Sequence, residues 1–205
     1  MKTLICCALC AAIALGGASA FADDDFGIES ASPTTITDPV NPQPGMLFNA
    51  YGADKKSAKA EPWLKDSHSK LPSVAAMKTG VDKSEKFSLD VASGVNALSV
   101  RWEGFIKCKR AGAYTFLFQK KTFRGNQFLN GYSVRINGRN VIPAAYGEAS
   151  CDANLKVGWN KIEIVAVFRV KDPLSVSFKP KGSVAEPRPI TPKDLFHDEK
   201  PEDEW

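Results

Sequence analysis

Over the second half of the chain, apolar and polar residues alternate with a period of two. In "LSVRWEGFIKC" the residues Leu98, Val100, Trp102, Ile106 and Cys108 share one parity, and Ser99, Arg101, Glu103 and Lys107 hold the other. Such a pattern sends one side of an extended chain to a core and the other to water. "AGAYTFLF" repeats it with Tyr114, Phe116 and Phe118, after a turn at Arg110-Ala111-Gly112. In "ASCDANLKV" the parity of Cys151, Ala153, Leu155 and Val157 faces that of Ser150, Asp152, Asn154 and Lys156. Gly158-Trp159-Asn160 then turns the chain into "KIEIVAVF", and Pro173 precedes "LSVSFKP". "FLNGYSVRINGRNVI" reads as a hairpin: Tyr132, Val134 and Ile136 alternate with Ser133, Arg135 and Asn137, and Asn137-Gly138 supplies the two positive-φ positions of a type I′ turn. Short alternating strands punctuated in this way predict an all-β fold, an antiparallel β-sandwich or barrel in a single domain. No internal repeat is visible.

The flanks follow other rules. Lys2 and the apolar run Leu4 to Leu15, followed by small residues up to Ala20-Phe21-Ala22, predict a signal peptide over 1–22 and export to the periplasm, cell surface or exterior. The run is too short to span a bilayer, and no later run is longer. Residues 23–44, acidic and then rich in Pro, Thr and Ser, predict a flexible leader. Residues 52–86 read as loops with one short helix over 72–79. The domain is expected over 45–197, and an acidic disordered tail over 198–205.

Charge adds one local feature. Lys and Arg number 27 against 23 acids, or 26 against 23 once Lys2 is removed. Between Arg101 and Arg139, however, nine cations meet only Glu103. With aromatics interleaved this admits a nucleic-acid reading, but alternating Lys and Arg on strands more often form a solvent face, and no nucleic-acid partner is expected. Loss of the signal segment leaves Cys108 and Cys151, both on inward parities, and an even pair in an oxidising compartment predicts a Cys108–Cys151 disulfide. Two cysteines and two distant histidines make a poor metal site, and no cofactor is implied.

Several pieces, taken in order, resemble the PA-fourteen family, the protective-antigen-type β-sandwich. They are "GMLFNAYG", "LSVRWEGFIKCKRAGAYTFLF", "GYSVRINGRNVI", "LKVGWNKIEIVAVF", "PLSVSFKPKG" and "RPITPKDLF". The resemblance covers 45–197. It implies a recognition domain of the kind carried by toxins, glycosidases and adhesins, many of them carbohydrate-binding. In the adhesin branch two consecutive aspartates before the hairpin glycine hold calcium, and the matching positions here are Leu129 and Asn130. An apolar side chain and a neutral amide cannot replace two carboxylates, so the resemblance implies no calcium-held sugar.

The loop 119–131, "QKKTFRGNQFLNG", is the main candidate site. Lys120, Lys121 and Arg124 would meet anionic groups, Asn126, Gln127 and Asn130 would meet hydroxyls, and Phe123 or Phe128 would stack. The alternative is a solvated loop on the sandwich rim. Trp63 and Trp159 could be exposed platforms or edge packing. "DSHS", Asp66 to Ser69, lacks the spatial arrangement of a nucleophilic triad, and no Asp or Glu is placed on an inward strand position, so catalysis is not expected. Two readings stand: a glycan-recognition module, with anionic glycans among its candidate ligands, or a structural or protein-interaction subunit of an envelope or secreted assembly.

Overall fold

A computed structural model of the chain describes residues 37–52, 76–120, 131–168 and 172–199. Its strands are β1 (Pro42–Pro44), β2 (Met46–Gly52), β3 (Lys78–Asp82), β4 (Ala97–Cys108), β5 (Gly112–Lys120), β6 (Tyr132–Ile136), β7 (Arg139–Ala145), β8 (Glu148–Leu155), β9 (Gly158–Val167), β10 (Leu174–Pro180), β11 (Arg188–Ile190) and β12 (Phe196–Asp198). They form two antiparallel sheets. The larger runs β1-β12-β4-β9-β6-β7, with β2 also on β4 and β3 on β2; the smaller runs β11-β10-β5-β8. The all-β sandwich read from the period-two pattern is the observed architecture. No helix among the described residues is long and apolar enough to cross a membrane.

The core lies between the sheets and follows parity. Val100, Trp102 and Ile106 of β4, Ile162, Ile164 and Ala166 of β9, and Phe116 and Phe118 of β5 are buried in one cluster. Aromatic rings knit the layers: Phe118 stacks on Tyr132 of the other sheet at 5.8 Å, and Trp102 meets Phe87 and Phe168 edge-on at 5.4 and 6.0 Å. The buried Trp102 indole N–H donates to the buried carboxylate of Asp82 at 2.8 Å. A buried donor left unpaired would cost about 1–3 kcal/mol, so this contact fixes the end of β3 against the core. The acid is an inward one that the alternation did not reveal.

Gly104 shows why a glycine follows the core tryptophan. A Cβ there would lie 2.7 Å from the Phe196 carbonyl oxygen and 3.0 Å from Met46 Cγ, so only hydrogen lets β12 pass over β4. The hairpin turn is as expected, with Asn137 at φ 49° and Gly138 at φ 77°.

Three expectations are corrected. Strand β1 is built from the last residues of the segment read as leader, held by β12. Lys78 and Thr79, placed in a short helix, belong to β3, because pairing with Asn49 and Ala50 of β2 overrides the local pattern. Cys108 and Cys151 are free thiols. Both touch the core, but on different sheets and at different heights. Cys108 ends β4 opposite Gly158, just before the connection to Gly112, whereas Cys151 pairs with Phe116, four residues along from the Gly112–Leu155 pair. At the rise of an extended chain that offset is about 13 Å, well beyond the Cα separation a disulfide spans.

Candidate functional site

At one end of the sandwich the β7–β8 connection lies against the end of β5, which pairs there with the start of β10. Beside them a groove of about 560 Å³ is lined by Gln119, Lys120, Gly147, Glu148, Asp172, Pro173 and Ser175. Its rim is fixed by backbone geometry. Gly147, at φ 78°, turns the chain from the larger sheet into the smaller one. Its carbonyl accepts from Lys120 N–H at 3.0 Å and from the buried Tyr132 hydroxyl at 3.1 Å.

The strand register arranges the groove in rungs. Ser175, Gln119 and Glu148 stand side by side across β10, β5 and β8, followed by Ser177, Leu117 and Ser150. The first rung combines a hydroxyl, an amide and a carboxylate; the Gln119 amide donates to Glu148, which orients both. The second rung places one apolar side chain between two hydroxyls and lines a further cleft of about 420 Å³ that shares Gln119, Glu148 and Ser175 with the first. Beyond it Asp152 accepts from Thr115 and pairs with Lys181, each at 2.7 Å, and these contacts hold its carboxyl below the ordinary range. Hydroxyls, an amide and carboxylates around a small apolar patch can hydrogen-bond the edges of a polyol ring and cover its C–H face.

Lys120 departs from expectation. Read as a solvent-facing cation of the loop, it continues the inward parity of Phe116 and Phe118 and pairs in register with Leu174. Its residue is 2% exposed. The amine donates to the Asp172 carbonyl at 3.0 Å and lies 3.7 Å from the centre of the Phe168 ring. Burial pulls its pKa down to about 7, against a smaller opposing pull from Asp172. The signal was available: the two-residue period that marks Phe116 and Phe118 as inward reaches Lys120 without a break. Lys121, Phe123, Arg124, Asn126, Gln127, Phe128 and Asn130, with Trp63 and Asp66–Ser69, lie outside the described residues.

A second polar cluster covers the outer face of the larger sheet. Glu103 and Glu163 are direct cross-strand partners. Arg101 bridges them at 2.7 and 2.6 Å, and Lys161 pairs with Glu103. Burial alone would raise the Glu103 carboxyl, but Arg101 and Lys161 outweigh it and hold it below its ordinary value. With its carboxyl held low, Glu103 is poorly suited to the proton-donating role that glycoside hydrolysis gives one of its two acids.

No protein-family model matches the chain, and no curated protein matches it in sequence. Solved structures do share its architecture. The PA14 domain of the antifreeze protein MpAFP aligns over 80% of this chain and 95% of its own length, with a TM-score of 0.55 at 12% identity. The fold is PA14-like. The PA14 sugar-binding domain of an RTX adhesin covers 76% of this chain and 99% of itself at TM-score 0.52 and 15% identity. The A domain of epithelial adhesin 9 from Candida glabrata, solved with Galb1-4GlcNAc, covers 82% and 96% at TM-score 0.53 and 14% identity. At such identities the PA14 likeness carries the architecture and not the chemistry of any site.

Proposed function

We propose that this chain is a non-catalytic carbohydrate-recognition module that acts after export. The observation that carries the reading is the groove at the connection end, where a hydroxyl, an amide and a carboxylate stand in one rung beside an apolar one. The sugar-binding adhesin domains that share the fold make a saccharide the natural ligand class. Hydrogen bonds of about 1 kcal/mol each, made by Ser175, Gln119 and Glu148, point to weak binding of the kind that multivalent presentation reinforces. The described rim supports a neutral, hydroxyl-rich ring. Its acids are Glu148 and Asp172 and its one amine, on Lys120, has a pKa of about 7, so any preference for anionic glycans rests on Lys121 and Arg124.

The test is a glycan array with the chain from Asp23 onward, followed by titration of the best saccharide. Glu148→Gln with Ser175→Ala should weaken binding by about tenfold while leaving the melting temperature unchanged. An array without a saccharide hit, or a double variant that binds like the parent, would overturn the reading. The second outcome would move the site away from this groove.

A further inference from the structure

The opposite end of the sandwich carries a second surface. Hydrogen bonds bring its turns together. The buried Asn160 carboxamide accepts from Lys156 N–H and from the Asn137 side chain, both at 2.9 Å, which joins the β8–β9 turn to the β6–β7 turn. Lys181 N–H donates to the Ala113 carbonyl at 2.9 Å, which joins the β10–β11 turn to the start of β5. These turns and the β4–β5 connection present Lys107, Lys109, Arg110, Arg139, Lys156 and Lys181, all exposed. The acids of this end are Asp38 and Asp152, which pair with Lys156 and Lys181, and Glu186. Lys107, Lys109, Arg110 and Arg139 have no ion pair among the described residues, so the end is net positive.

Two apolar tips stand among these cations. Val157 is 63% exposed in the β8–β9 turn, and Val184 is fully exposed in the β10–β11 connection. Trp159 follows Val157, with the Lys107 amine 4.9 Å from its ring centre and Phe196 edge-on at 5.1 Å. A cationic surface alone would suit any polyanion, but exposed valine tips gain nothing from a polysaccharide or a nucleic acid. They gain from entering the boundary between headgroups and acyl chains, where cations and an aromatic ring also sit favourably.

We propose that this end docks on an anionic bilayer, with Val157 and Val184 entering the interface and Lys107, Lys109, Arg110 and Arg139 meeting lipid phosphates. Docked in this way, the module would hold its groove end away from the membrane.

The experiment is sedimentation of the chain from Asp23 onward, which keeps every described strand, with vesicles of phosphatidylcholine alone or with about a third phosphatidylglycerol. Binding should require the anionic lipid and fall by at least about tenfold between 0.1 and 0.5 M salt, as the Debye length shrinks. Lys107→Gln/Lys109→Gln/Arg110→Gln should lower partitioning by about tenfold or more. Val157→Ser/Val184→Ser should lower it severalfold with all charges kept. All substitutions lie on exposed turns or strand ends, and unchanged melting curves confirm that the fold is intact. The proposal is overturned by absent or salt-insensitive vesicle binding. It is equally overturned if the valine variant partitions like the parent, especially if dextran sulfate in solution competes fully, since that marks a soluble-polyanion site.

Discussion

Replacing Lys120 with methionine should stabilise the protein at neutral and acidic pH, and the gain should disappear in alkali. The side chain is buried, and its pKa falls from 10.5 to about 7. At 1.36 kcal/mol per unit, holding the charged form in this site costs about 4–5 kcal/mol, and contact with the Phe168 face offsets some of that. Methionine fills a similar volume without a charge, so Lys120→Met should gain about 2–4 kcal/mol below pH 7. Between pH 7 and 10.5 the unfolded chain holds a proton that the folded protein has released. The parent therefore gains stability as pH rises through that window, and the variant does not. Denaturant unfolding at steps from pH 6 to pH 10.5 should show the two stabilities converging. In thermal melts the difference at pH 6 should be roughly 5–10 °C for a domain of this size. A variant less stable than the parent at pH 6, or a difference independent of pH, would refute the reasoning and mean that the ammonium is net favourable where it lies.

Two further outcomes follow from the core. Asp82→Ala should lower stability by about 1–3 kcal/mol in equilibrium unfolding, because it strands the Trp102 indole N–H, whereas Ser84→Ala should change it little. Peptide mapping after alkylation of denatured, unreduced protein should find both Cys108 and Cys151 modified. In the native protein at pH 8 Cys151 should react slowly, since burial raises its thiol to about 11.

The alternation of Val100, Trp102 and Ile106, of Phe116 and Phe118, and of Ile162 and Ile164 determined the strands and their inward faces. A strand has only two sides, so a period of two leaves little choice. Asn137-Gly138 likewise determined its own turn, because the dihedral angles a two-residue loop needs are set by local sterics. What the alternation could not supply was which strands are neighbours and at what height. The register alone sets Ser175 beside Gln119 and Glu148, and Cys151 level with Phe116 instead of Cys108. It also turns an apparent loop lysine into a buried amine over Phe168, and it gives Trp102 its partner in Asp82, twenty residues earlier in the chain. These contacts join residues far apart in sequence, and their energies depend on distance and burial. Both are fixed only when the two sheets close on a common core.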